Sequence, residues 1–260
     1  MIQEHLQSIY KKLPSGVTLV AVSKFHPVSA IQEAYDAGQR VFAESRPQEL
    51  SAKVPLLPKD IQWHFIGHLQ TNKLKMVLPF VSLVQSVDSL HLLEAISSWA
   101  VTNKRVVDVL LELHLGAEET KQGFSAEEIL EIVGGEGMCS STVASRPLPS
   151  LGALQAPAVG PSLLPGRGWP GVVEHIPSPP ENCFGVRIRG LMGMATNTED
   201  VRVIEQDFLR IEALFKRIQE MGVPDFDQLS IGMSGDWPLA VQHGATMVRI
   251  GTDIFGPREY

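Results

Sequence analysis

Lys24 ends the run VTLVAVSK, so an aliphatic strand delivers a single amine to its own C-terminal end. An amine held among apolar neighbours loses the hydration that favours its ammonium form, which lowers its pKa and frees a nucleophile. Schiff-base formation with an aldehyde needs that nucleophile. A lone strand-end lysine more often snorkels into water, so Lys24 needs company before it carries chemistry. Company comes from far along the chain, in LSIGMSGDW and MVRIGTDIFG. In the first, Gly232, Ser234, Gly235 and Asp236 make a small-residue turn ahead of the helical stretch WPLAVQHG. In the second, Gly251 and Thr252 offer a close backbone approach and a hydroxyl. Turns of this kind bind phosphate through backbone N–H groups and the start of the following helix. Arg249 lies two residues before Gly251 and faces the same way along the strand. A permanently charged guanidinium pointing inward calls for an anion or an acceptor, and Glu112 or Glu44 are the carboxylates that would otherwise pair with it. An aldehyde-seeking lysine, a phosphate cradle and an inward arginine together point to pyridoxal 5'-phosphate.

These residues meet only if a fold gathers the ends of distant strands. Strand-like runs occur at Val17–Lys24, Arg40–Ser45, Trp63–Gly67, Leu83–Val87, Val106–His114, Val186–Met194, Gln228–Ser234 and Met247–Phe255. They are continuous in Val, Ile and Leu, as expected of parallel strands buried on both faces. Helical patterns separate them, the clearest being Ile204, Phe208, Ile211, Phe215 and Ile218, stopped by Gly222 and Pro224. Eight strands alternating with helices predict an α/β fold, a (β/α)8 TIM barrel whose functional residues sit at the strand C-terminal ends. In such barrels phosphate is often held by the loops after strands seven and eight. A doubly wound open sheet is the alternative, but its G-x-G-x-x-G turn after the first strand is missing.

The expected organisation is one barrel domain over residues 1–260, interrupted at 135–185. Nine of the chain's 18 prolines fall in that stretch, with no sustained helical or strand period. It reads as an irregular insertion before the sixth strand. Both cysteines, Cys139 and Cys183, lie inside it and read as free thiols. The net charge of -7 argues against nonspecific nucleic-acid binding. No apolar run is long enough to span a bilayer. The opening MIQEHLQSIYKK has Ile2, Leu6, Ile9 and, just beyond it, Leu13 on one helical face, so it reads as a packed helix and not a signal peptide. A cytoplasmic protein is the expectation. His64 and His68 have H-x-x-x-H spacing, but one lies within a strand and the other after a glycine, so no metal is expected there. His64 reads as a hydrogen-bonded barrel residue or at most a neighbour of the cofactor, Lys73 and Lys75 as a solvated helix face, and Asp88–Ser89 as a helix cap.

The segments VAVSK, FAESRPQE, WHFIGHLQTNK, SVDS, RGLMGM, LSIGMSGD and VRIGTDIFG resemble, in order, the pyridoxal phosphate homeostasis proteins. These are single-domain relatives of the alanine racemase N-terminal barrel, and the resemblance covers the chain outside 135–185. It implies that Lys24 holds pyridoxal phosphate as a Schiff base, that Ser234, Gly251 and Thr252 hold the phosphate, and that Arg249 faces the pyridine nitrogen. Two departures stand out: Ser45 occupies a position where many relatives carry asparagine, and the 135–185 stretch is absent from the usual pattern. An arginine at the ring nitrogen leaves it unprotonated and weakens the ring as an electron sink. Racemisation also needs a second base, which racemases take from a further domain with no counterpart after the eighth strand here. The expected function is therefore intracellular homeostasis of the cofactor by a non-catalytic, monomeric holder, with PLP-dependent apoenzymes as recipients. The alternative is a weak amino-acid racemase or another Schiff-base enzyme.

Overall fold

The computed structural model describes residues 1–116, 122–134 and 185–257. Its chain opens with α1 (Ile2–Tyr10) and then alternates strand and helix: β1 (Thr18–Val22), α2 (Val28–Asp36), β2 (Val41–Glu44), α3 (Pro47–Lys53), β3 (Gln62–Phe65) and α4 (Leu74–Val77). The alternation continues with β4 (Leu83–Val87), α5 (Leu90–Thr102), β5 (Val106–Leu113), α6 (Ala126–Gly134), β6 (Gly185–Gly193) and α7 (Val201–Glu220). It closes with β7 (Gln228–Ser230), α8 (Trp237–Gln242), β8 (Met247–Ile250) and α9 (Thr252–Phe255). All eight strands pair in parallel in sequence order, and β8 pairs back onto β1, so the sheet is a closed barrel.

Two apolar layers explain why the strand sequences do not alternate with polar residues. Val20, Val22, Ala43, Leu83, Leu110, Met192 and Met247 form the apolar part of the barrel interior. Their neighbours Ala21, Phe42, Leu111, Leu191, Val248 and Ile250 face the helices, where Phe208 and Ile211 of α7 meet them. A strand residue therefore finds a dry partner on either face. Each fully buried Leu or Phe contributes about 1.5–3 kcal/mol to that arrangement.

Local chemistry sets the helix starts. Ser89 accepts from the Leu92 N–H at the start of α5, as the Asp88–Ser89 pair predicts, and Asp200 caps α7 through the Arg202 N–H. Ser125 and Glu128 exchange bonds in a reciprocal capping box at α6. With α9 only four residues long, α1 completes the helical ring between β8 and β1. Its Leu6 and Ile9 are buried, and its ends are tied down by His5 to the Ile254 carbonyl (3.0 Å) and Ile2 N–H to Glu33 (3.2 Å).

Apart from β4, which spans Leu83–Val87 as predicted, the strands are shorter than the apolar runs predict at their C-terminal ends. β1 stops at Val22 and not Lys24, and β7 at Ser230 and not Ser234. β8 stops at Ile250, after which Thr252–Phe255 is helical and not strand. At each of these ends the chain leaves the ladder to form a turn that the apolar pattern conceals. Apart from Gly185, which opens β6, the predicted insertion lies outside the described residues.

Candidate functional site

The turns after β7, β8 and β1 are neighbours because their strands are adjacent in the barrel. Thr18–Ala21 pairs with Met247–Ile250, and the Arg249 N–H donates to the Gly232 carbonyl at 3.0 Å. The five predicted site residues, Lys24, Ser234, Arg249, Gly251 and Thr252, therefore lie along three adjoining strand ends. Gly251 lets β8 run close to β1: a Cβ there would stand 3.1 Å from the Val22 carbonyl oxygen, two residues before Lys24. Gly232, at φ +90°, keeps α8 tight against β7, since a Cβ would stand 2.6 Å from that of Ala240. Lys24 and Ser234 are half-buried and Thr252 is exposed.

Backbone donors converge at these turns. The Met233 N–H is taken by Asp236 at 2.6 Å, and the Asp236 and Trp237 N–H groups by the Met233 carbonyl. The N–H groups of Ser234, Gly235, Thr252 and Asp253 have no acceptor among the described residues. Free backbone amides in turns are the donors that an anion such as phosphate needs. The helices that follow are too short to add a strong dipole, so the donors themselves carry the attraction. The residues present thus fit a phosphorylated ligand.

Arg249 points into the barrel beneath these turns. Its Nη1 donates to the Ser230 carbonyl (2.7 Å) and hydroxyl (2.6 Å), and its Nη2 to the Gly193 carbonyl (2.8 Å). Neither carboxylate considered from sequence is within ion-pairing distance of it. Glu44 faces α3 instead, while Glu112 lies near enough to act through space. Burial brings Arg249 down to about 10, opposed by Glu112 and Asp236, so it stays charged at neutral pH. Burial, helped by Asp88 and opposed by Arg249 and His68, raises Glu112 to about 7.

From Arg249 a directed chain of hydrogen bonds crosses the barrel. The Ser230 hydroxyl donates to Gln85 Oε1 (2.7 Å), and Gln85 Nε2 donates to His64 Nδ1 (2.8 Å). His64 is therefore the hydrogen-bonded barrel residue predicted from its position, and burial lowers it to about 3, which keeps it neutral. Ser230 lies in LSIGMSGDW, but its glycines and Ser234 drew the reading there, and Gln85 belongs to no motif, so sequence reasoning did not single either out.

Nor did it find the support of the Lys24 turn. The Ser23 hydroxyl donates to Glu44 Oε1 (2.7 Å), and Lys53 Nζ donates to both the Ser23 carbonyl (3.0 Å) and Glu44 Oε1 (2.8 Å). On the other side of Lys24, the Phe25 N–H donates to Glu49 at 3.2–3.3 Å, with Arg46 4.3 Å above the Phe25 ring. His26 stacks on Phe255 of α9, linking the turns after β1 and β8. The other histidine considered, His68, pairs with Asp88 at 2.9 Å. Lys75 is exposed and Lys73 half-buried. Among the described residues no group of His, Cys, Asp or Glu could hold a metal ion, and no helix is long and apolar enough to cross a membrane.

The alanine racemase N-terminal domain family matches residues 1–135. Over the whole chain, a pyridoxal phosphate homeostasis protein of Haemophilus influenzae is 31% identical, with 97% of the relative covered. One of Aquifex aeolicus is 32% identical, again over the whole chain and 96% of the relative. The chain belongs to the pyridoxal phosphate homeostasis protein family. Among solved structures, PipY of Synechococcus elongatus without PLP superposes with TM-score 0.76 at 32% identity, covering 98% of this chain and 100% of that one. The same protein with PLP bound gives 0.75 at 31% identity, with the same coverage. An alanine racemase of Clostridium difficile, at 13% identity and TM-score 0.64, shares the barrel over 57% of its length. PipY thus shares its fold with this chain, whose closed barrel is the one predicted from its sequence.

Proposed function

We propose that this chain holds pyridoxal phosphate at the ends of β7, β8 and β1 and serves intracellular homeostasis of that cofactor. The observation that carries this reading is the set of acceptor-free amides at Ser234, Gly235, Thr252 and Asp253, beside the turn that presents Lys24. In the reading, those amides and the Ser234 and Thr252 hydroxyls bind the phosphate, while Gly251 keeps the approach open. Lys24 supplies the amine that condenses with the aldehyde to a Schiff base, with loss of water. Arg249, already fixed by Ser230 and Gly193, presents a charged face to the pyridine nitrogen.

Bound pyridoxal phosphate would supply an electron sink, and a strong one only when its ring nitrogen is protonated. Arg249 has no proton to spare near neutral pH, so this site favours holding over turnover. The chain is read as one cytoplasmic, monomeric barrel domain, with 135–185 as an insertion and PLP-dependent apoenzymes as recipients. A direct test incubates the loaded protein with a pyridoxal-phosphate-dependent apoenzyme and, separately, with L-alanine. Recovery of apoenzyme activity without racemisation is expected, and Lys24→Ala should abolish cofactor retention. Racemisation that requires Lys24 would replace this reading with that of a Schiff-base enzyme.

A further inference from the structure

Both neighbours of Lys24 are tied to one buried ionic group. Ser23 donates its hydroxyl to Glu44 and accepts from Lys53 at its carbonyl, while the Phe25 N–H donates to Glu49. Lys53 Nζ also lies 3.6 Å from Glu49 Oε2, so Lys53 bridges Glu44 and Glu49 and the ring closes through the Ser23–Phe25 turn. Phe25 sits at φ +68°, a left-handed conformation that a non-glycine residue keeps only when its surroundings impose it. The bond to Glu49 is such a constraint. Glu44 has no exposed surface, and its Oε2 meets no donor. Ionised, it would leave a bare carboxylate oxygen in a dry site. Protonated, it can donate to the neighbouring Glu49 carboxylate.

The surroundings of Glu44 set the balance. Burial pushes it up to about 7, with Lys53 opposing, the bond to Glu49 adding to the rise, and Ser23 opposing. Burial also raises Glu49, but the bond from Glu44, the Phe25 N–H, Lys53 and Arg46 together draw it below the usual carboxylate range. From β3, the residues beside Glu44 are Phe65 and Ile66, which carry no charge. With Glu44 protonated the ring holds one cation and one anion; with Glu44 ionised it holds an excess negative charge.

We infer that Glu44 is a positioning residue for Lys24: in its protonated form it completes the ring that fixes Ser23 and Phe25, and its ionisation loosens the turn and weakens cofactor binding. The inference deepens the proposed function and rests on Lys24 as the attachment point. Ionisation puts two carboxylates side by side, and their repulsion works against the Glu49 bond that holds the Phe25 N–H. Lys24 then loses its preset approach, and the cost appears as affinity.

Glu44→Gln tests this, because the amide keeps an acceptor for Ser23 and Lys53 and a donor for Glu49 but cannot ionise. Titrating pyridoxal phosphate into both proteins cancels the pH dependence of the lysine–aldehyde condensation itself. The ratio of wild-type to variant Kd should be near 1 at pH 5.5 and rise about tenfold by pH 8.5, the net worth of one hydrogen bond. In the unloaded wild type, the Lys24 and Phe25 amide resonances should titrate near pH 7, and Glu44→Gln should abolish that step. A pH-independent ratio and an unmoved amide titration would overturn the inference while leaving a borohydride-trapped adduct on Lys24 intact. No trapped adduct in either protein would overturn the attachment reading, and this inference with it.

Discussion

His64 shows how much a single buried side chain can commit a protein to a pH range. Its Nδ1 accepts from Gln85, so the neutral tautomer with the proton on Nε2 is the one that the hydrogen bonds select. Protonation would forfeit that bond and place a cation among Val, Leu and Met side chains. The folded pKa, about 3, lies below the ordinary 6.5, so the unfolded chain takes up the proton first. Stability from this group is complete above pH 6.5 and is lost as pH falls toward 3. Glu44 and Glu112 act with the opposite sign: both are raised to about 7, so their contribution is greatest below the ordinary 4.5 and fades as pH rises through 7. His64→Gln isolates the histidine, since glutamine can still accept from Gln85. In urea unfolding, wild type should lose about 2 kcal/mol more than His64→Gln between pH 7 and pH 4.5. Parallel losses in the two proteins would show that the imidazole does not titrate across folding.

At the scale of elements, the ends of the strands matter more than their lengths. β8 and β1 run so close at Gly251 and Val22 that a methyl group would press on the Val22 carbonyl at 3.1 Å. Gly251→Ala should leave the barrel folded at a cost of about 1 kcal/mol, because the neighbouring backbone must give slightly. Displacement of Val22 carries to Lys24, so the Kd for pyridoxal phosphate should rise roughly tenfold. Gly134→Ala, at the end of α6 and away from these turns, is the control: a Cβ there meets only the tip of the Met221 side chain at 3.3 Å, and affinity should change by less than about twofold. Equal effects of the two substitutions would contradict the close-approach argument. These strand ends were also where the sequence was hardest to read. The eight apolar runs located every strand, because burial on both faces leaves a strong signal. They ran past Val22, Ser230 and Ile250 because Ser23, Ile231 and Thr252 are as compatible with strand as with turn. Lys53 and Glu49, four residues apart on α3, look like any solvated helix pair. Only the packing of α3 behind β1 and β2 turns them into the backing of the Lys24 turn.

For the whole molecule, closure of the barrel is what converts scattered sequence into a site. Lys24 and Thr252 are separated by most of the chain, yet the pairing of β1 with β8 makes their turns adjacent, and the stacking of His26 on Phe255 joins them directly. α1 seals that seam from outside through His5 and Ile254. The turns after β7 and β8 and the lysine after β1 were visible in the sequence because each closes an apolar run, and it was their joint occurrence that singled them out, since a lone strand-end lysine or glycine turn has many other uses. The Arg249–Ser230–Gln85–His64 chain was not, since its members come from four strands and share no spacing. Cofactor holding by this barrel rests on the amine of Lys24 as the point of attachment. Sodium borohydride reduction of the pyridoxal-phosphate-loaded protein, followed by peptide mass analysis, reads this directly. A single phosphopyridoxyl adduct on Lys24, absent from Lys24→Ala, is the predicted result; an unmodified Lys24, or an adduct on another lysine, would contradict the account.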